Sequence, residues 1–113
     1  MDSLSVFFSG WKKVSVRKEE AEFSYFYTVS DVETRKALNE IEKGGIIEEI
    51  LSVKDKCDLN DREKTYELNR LGWWVDVGIE GFSKEFELKE GNLRAVIGVS
   101  CMDGKVRIVI YKP

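Results

Sequence analysis

The sequence predicts a single α+β domain over residues 1–113, with a mostly antiparallel sheet and two helices packed on one face. Several short runs alternate apolar and polar residues, which is typical of half-buried strands. Glycine-containing turn sequences separate these runs near the C-terminus, and two other stretches have the capping residues and apolar spacing of helices. The chain has 113 residues and is 42% hydrophobic, which suits one domain with its own core.

The pair Asp103-Gly104 stands between two alternating apolar runs. Asp-Gly is typical of a two-residue type I′ hairpin turn, because that turn needs positive φ at both central residues. A turn of this kind fixes the strand register. It would place Val99 opposite Ile108 and Ile97 opposite Ile110.

Gly91-Asn92 predicts the other turn of a C-terminal three-stranded meander over 82–112. If this turn is also tight, Phe86 lies opposite Ile97, on the face that the second hairpin makes apolar. Lys84 is the one charged residue expected on that face.

The second face of the meander is mixed. Its last two strands present Val96, Gly98, Val109 and Tyr111 there. Cover by another segment of the same chain is the favoured interpretation, since most apolar surface in a small domain is buried internally, and a subunit contact is the alternative.

The N-terminal half predicts a second hairpin. Strands are expected at 11–17 and 22–29, joined at Glu19-Glu20, with Val14 opposite Tyr25. Two further strands are predicted at 4–8 and 73–79.

The first helix is predicted to begin at Ser30, which forms a capping box with Glu33, and to end at Gly44-Gly45. Its expected apolar face consists of Val32, Ala37, Leu38 and Ile41. The second helix is predicted at 61–71. The stretch 46–53 fits either a helix or a strand, and the double glycine before it favours a strand.

The composition removes much catalytic chemistry. The chain has no His, which excludes Ser-His-Asp and Cys-His arrangements and histidine metal ligands. Two cysteines cannot close a zinc site, and Cys101 is expected to be a small buried hydrophobic residue. No glycine-rich phosphate loop occurs. The sequence therefore predicts no cofactor and no metal, and it favours a non-enzymatic protein, while its 21 acids leave carboxylate-pair hydrolysis open.

The expected location is the cytoplasm. No apolar run approaches the roughly 18 residues that a membrane span needs, and the N-terminus lacks the pattern of a signal peptide. A charged fraction of 35% and the absence of Gln are features of thermophilic proteins, but the single Pro gives that interpretation no support, so the source stays open.

The excess of acidic over basic residues is confined to one stretch of the sequence. Residues 31–50 hold six of the 21 acids and three of the 18 bases, which leaves fifteen of each elsewhere. An acidic surface steers a basic partner, and an exposed tryptophan is a common interface anchor. In Trp73-Trp74, neighbouring strand residues point to opposite faces, and Trp74 is the one expected outside.

The leading hypothesis is therefore a protein-binding domain, monomeric or homodimeric, of the inhibitor, immunity or accessory type. Its predicted partner-binding residues are Glu40, Glu42, Glu48, Glu49, Trp74, Val109 and Tyr111.

One rival hypothesis is a nucleic-acid-binding sheet. It would use Lys12, Lys13 and the aromatic strand containing Phe23 and Tyr25 to pair phosphates and stack bases. Nucleic acid is not the expected partner, because the net charge is −3 and phosphate neutralisation dominates such binding. A small-ligand-binding domain or an enzyme of another type is the second rival.

Overall fold

A computed structural model describes residues 11–15, 21–76 and 80–113. Within these ranges, six strands form one sheet in the order β1-β2-β6-β5-β4-β3. The strands are β1 Trp11–Ser15, β2 Glu22–Tyr27, β3 Trp74–Asp76, β4 Gly81–Glu87, β5 Arg94–Ser100 and β6 Lys105–Tyr111. The helices are α1 Asp31–Lys43, α2 Ile46–Lys54 and α3 Asp61–Arg70.

The sheet is mixed but mostly antiparallel, which confirms the predicted α+β class. Strands β2 and β6 run parallel, and every other neighbouring pair of described strands is antiparallel. β4, β5 and β6 follow one another in sequence and in space, so the order of the predicted meander is correct.

The registers predicted for the meander are wrong by two residues at both turns. Phe86 pairs with Ala95 rather than Ile97, and Val99 pairs with Val106 rather than Ile108. A shift of two residues keeps every side chain on its predicted face, because strand side chains alternate with a period of two. The apolar face was therefore predicted correctly despite the wrong pairs.

Longer loops explain both shifts. The β4–β5 connection contains a 3-10 turn, Glu90–Asn92, and closes with the Leu88 N–H donating to the Leu93 carbonyl at 2.8 Å. The β5–β6 connection runs over 101–104, where the Gly104 N–H donates to the Ser100 carbonyl at 2.9 Å. Gly104 is left-handed with φ 70°, but Asp103 is not, so the turn is not type I′.

The N-terminal hairpin is shifted in the same way. Val14 pairs with Phe23 rather than Tyr25. Its predicted turn and the predicted strand at 4–8 lie outside the described residues.

The structure has three α-helices in its described part, not two, because 46–54 is helical rather than a strand. Ile47, Ile50 and Val53 are buried at the three-residue spacing of one helix face. Gly45, with φ 83°, reverses the chain after α1 and precedes α2 directly. The double glycine therefore separates two helices instead of introducing a strand.

The predicted cap of α1 is confirmed. The Ser30 hydroxyl accepts a hydrogen bond from the Glu33 N–H at 3.2 Å. Ala37 and Ile41 are fully buried as predicted, but Val32 is 60% exposed. Val32 precedes Ile41 by nine residues, which at about 3.6 residues per turn places it on the opposite side of the helix from the buried face.

The core lies between one face of the sheet and the helices. The sheet contributes alternate residues of its strands, among them Phe23, Tyr25, Ala95, Ile97, Val99, Val106, Ile108 and Ile110. The helices contribute Ala37, Ile41, Ile47, Ile50, Val53 and Leu68 to the same cluster. No described helix packs on the other face of the sheet.

Cys101 forms a disulfide with Cys57, so its expected role as a buried thiol is wrong. β5 ends at Ser100, which places Cys101 in the loop beyond the core. There it reaches the 3-10 turn Asp55–Asp58, with the two Cα atoms 5.5 Å apart at a sequence separation of 44. The bond fastens the helical layer to the β5–β6 loop.

In the described part of the chain, no helix is both long enough and apolar enough to cross a membrane.

Candidate functional site

The four acidic residues predicted to bind a partner fall into two pairs, one with hydrogen bonds inside the protein and one with none in the described part of the chain. Glu49 is engaged inside the protein: its Oε2 accepts hydrogen bonds from the Trp73 Nε1–H at 3.0 Å and from the Lys84 ammonium at 2.7 Å. The same ammonium donates to the Leu71 carbonyl at 3.1 Å. These contacts explain how a lysine lies on the apolar face of β4, and they give Glu49 a structural role.

Glu40 is also engaged within the chain. Its two carboxylate oxygens accept from the Lys89 N–H at 2.9 and 3.0 Å, and one accepts from the Glu90 N–H at 3.1 Å. A carboxylate that receives backbone N–H groups forms charge-assisted hydrogen bonds. Glu40 therefore holds the β4–β5 loop against α1.

Glu42 and Glu48 remain at the surface of the helical layer, where both are exposed. Burial raises the pKa of the Tyr25 phenol, and the negative charge of Glu42 raises that pKa further. Of the four acids predicted to form one patch, these two carry no structural hydrogen bond among the described contacts.

The tryptophan pair is divided between the two faces, as strand alternation requires. Trp73 is buried and makes edge contacts with Phe82 and Phe86 at ring-centroid distances of 5.9 and 6.1 Å. Trp74 is 76% exposed. Its predicted exposure is confirmed, and its role at an interface stays a prediction.

Trp74 belongs to the face of the sheet turned away from the helices, which we name the open face. It pairs with Ser83, which pairs with Gly98, which in turn pairs with Arg107. The neighbouring positions on the open face are Phe26, Glu85, Glu87, Arg94, Val96, Lys105, Val109 and Tyr111. The predicted residues Trp74, Val109 and Tyr111 thus share one face, opposite the layer that carries Glu42 and Glu48.

A cleft of about 550 Å³ lies over this face beside Trp74. Gly98 lies at its floor, and a Cβ atom built there meets no atom within 4 Å. Met102, 76% exposed, and Arg107 form part of its wall. The Arg107 guanidinium lies 3.8 Å from the Asp103 carboxylate, so the wall combines an aromatic ring, a thioether and an ion pair.

Tyr111 is held at the far end of the open face. Its hydroxyl donates to the Glu85 carboxylate, whose other oxygen lies 3.6 Å from Arg94. The hydrogen bond to Glu85 raises the pKa of the Tyr111 phenol. Val109, between this cluster and the cleft, is 38% exposed.

The sequence interpretation missed Gly98 and Met102 as parts of a site. A glycine inside a strand is a signal for close approach of another molecule, and alternation placed Gly98 on the second face of the meander, where cover by the same chain was the favoured interpretation. A two-residue turn at Asp103-Gly104 would keep Met102 at the end of a strand, whereas the longer loop puts it in the wall of the cleft.

Two observations bear on residues that the rival hypotheses would use. Phe23 and Tyr25, which the nucleic-acid hypothesis needs for base stacking, are buried. Among the described residues, no group of three or more His, Cys, Asp or Glu side chains is placed to hold a metal ion.

No protein-family model, curated protein or solved structure matches this chain.

Proposed function

We propose that this chain is a non-enzymatic protein-binding domain that contacts its partner through the open face, with Trp74 as the anchor. One observation supports this most: Trp74 is 76% exposed on a sheet face that no described helix covers. It stands beside a cleft with room over Gly98.

The composition of the open face suits protein recognition. Tryptophan, tyrosine, methionine and arginine are enriched at protein interfaces. Tryptophan, tyrosine and arginine are also common among the residues that contribute most of the binding energy. Covering most of an exposed tryptophan removes about 150–200 Å² from water, worth about 4–5 kcal/mol before the costs of association. Trp74 alone therefore offers a substantial part of a micromolar binding energy, about 8 kcal/mol.

The exposed acids Glu42 and Glu48 are not expected to take part in the proposed interface. Glu42 and Glu48 lie on the helical layer, and the sheet separates them from Trp74. Two packed layers are about 10 Å apart, comparable to the Debye length of about 8 Å at physiological salt. The two carboxylates therefore do little to steer a basic partner onto the open face.

We also propose a cytoplasmic location. The disulfide limits which kinds of cytoplasm are compatible with that location. Structural disulfides persist in oxidising compartments and in the cytoplasm of hyperthermophiles. The 35% charged fraction agrees with a thermophilic source. A cytoplasmic location therefore requires a cytoplasm in which the Cys57–Cys101 bond survives. Alkylation of thiols at the moment of lysis tests this, since recovery of two alkylated cysteines would contradict it.

The function is tested by affinity capture from the native host with three versions of the chain. We expect a protein partner on the wild type, its loss with Trp74→Ala, and its retention with Tyr66→Ala. Tyr66 is a matched control, because it is an aromatic residue 67% exposed on α3, in the helical layer. Capture that survives Trp74→Ala but fails with Tyr66→Ala would move the site to the helices and overturn the proposal.

A further inference from the structure

The open face carries opposite charges at its two ends. Glu87 lies at the last position of β4, and Lys105 lies at the first position of β6. Both are exposed, and neither forms an ion pair in the described part of the chain. An interface that meets both charges at once would have to present a base at one end and an acid at the other.

The positions of these charges are related through β5. β4 and β6 flank β5 and run parallel to each other, since each is antiparallel to it. Glu87 pairs with Arg94 at one end of β5, while Lys105 starts β6 beside the other end. At about 3.4 Å per residue, six residues separate the two charges by about 20 Å along the strands.

A twofold axis in the plane of the face, perpendicular to the line from Glu87 to Lys105 and crossing β5 between the levels of Val96 and Gly98, exchanges these two residues. We propose that the partner of the open face is a second copy of the same chain, packed face to face about this axis. The inference rests on the function proposed above and names its partner. Each Glu87 then lies above the end of the facing sheet that carries Lys105, so the charge pair forms twice.

The middle of the face is shaped for such packing. Val96 and Val109 lie beside each other across β5 and β6, and Gly98 adds no side chain, so two sheets can approach to the usual spacing of about 10 Å. Trp74 pairs with Ser83, level with Gly98, within one row of the axis. The two copies of Trp74 therefore meet near the axis.

The size of the face sets the expected strength. β4, β5 and β6 have seven residues each and β3 has three, so at about 4.8 Å between strands and about 3.4 Å per residue they cover about 400 Å² on each copy. A total near 800 Å² lies below the standard interface of about 1,600 Å². The dimer should therefore be weak, with a dissociation constant of about 1–100 μM.

Sedimentation equilibrium across this concentration range tests the inference. We expect the wild type to dimerise and Glu87→Lys and Lys105→Glu each to be monomeric, with a tenfold or greater loss of affinity. A mixture of the two variants should recover a heterodimer, because one copy then carries two bases and the other two acids. Glu48→Lys is the matched control, since it changes the same charge on the helical layer, and it should dimerise like the wild type.

Two outcomes would overturn the inference: a wild type that stays monomeric at about 500 μM, five times the weakest expected constant, or charge variants that dimerise unchanged. A monomer that still captures a different protein through Trp74 would refute only the second copy as partner. A monomer that captures nothing would refute the proposed function as well. Circular dichroism of each variant excludes misfolding as the cause of a lost dimer.

Discussion

The Lys84 ammonium lies 2.7 Å from the Glu49 carboxylate and joins the core face of β4 to α2. Trp73 donates its indole N–H to the same carboxylate oxygen at 3.0 Å. Lys84 is unexpected in an apolar strand, and Glu49 has the appearance of a surface charge in the sequence. The structure shows that the two residues pair with each other.

This contact predicts opposite behaviour for two adjacent acids. Glu49→Lys should lower the free energy of unfolding by about 2–4 kcal/mol, because it leaves the Trp73 indole without an acceptor, removes the carboxylate that pairs with Lys84 and adds a like charge. Glu48→Lys should change it by less than about 0.5 kcal/mol, since Glu48 is exposed. Urea unfolding of the two variants measures the difference. Equal midpoints would show that the Lys84–Glu49 pair contributes nothing.

The Cys57–Cys101 bond predicts a dependence of stability on reductant. It closes a loop over a sequence separation of 44 residues, for which the loss of unfolded-chain entropy is worth about 4 kcal/mol. Cys57→Ser/Cys101→Ser should lower the urea midpoint, and wild type treated with dithiothreitol should match it. If oxidised and reduced wild type unfold at the same midpoint, the bond does not form in solution.

Two neighbouring residues of β5 test the assignment of faces. Ile97→Ala should cost about 2–5 kcal/mol, because Ile97 is fully buried between the sheet and the helices. Val96→Ala, on the open face, should cost less than about 1 kcal/mol. Thermal or urea unfolding decides between them, and the reverse order would mean that the helices cover the other face.

Tyr25 predicts a loss of stability in alkali. Burial raises the pKa of its phenol above the ordinary value of about 10, so the folded state holds the proton more tightly than the unfolded state. This contribution is complete below about pH 10 and declines as the pH rises further. Tyr25→Phe should therefore reduce the decline above pH 10 relative to wild type, measured by urea midpoints between pH 8 and 11.5. An identical decline in both proteins would contradict the assigned cause.

The sequence predicted which faces are apolar but not which residues pair. Alternation determines the face of Ile97 or Val106 locally, whereas the register depends on loop conformation. The loops at 88–93 and 101–104 close with hydrogen bonds that a turn dipeptide does not specify. For the stretch 46–53 the prediction of a strand was wrong, because the preceding double glycine and the short length favoured a strand although the apolar spacing also fits a helix.

The candidate site was predictable only in part. Alternation placed Trp74 outside once Trp73 was assigned to the core. The roles of Glu40 and Glu49 were not predictable, because their partners Lys89 and Lys84 lie 49 and 35 residues away in sequence. The disulfide was not predictable for the same reason, because Cys57 and Cys101 are far apart in the sequence. The position of the loop that carries Met102 could therefore not be predicted either.

In the proposed function, the open face and not the acidic helical surface binds the partner. This assignment is tested most directly by the dissociation constant for the captured partner, or for the second copy, with two variants. Gly98→Arg fills the space above the sheet and should weaken binding at least 30-fold, the effect of a hot-spot loss of about 2 kcal/mol. Glu42→Lys/Glu48→Lys should change binding less than about threefold, with little change in the association rate across salt concentrations. If the double charge reversal abolishes binding while Gly98→Arg leaves it intact, the partner binds the helical layer and the account is wrong.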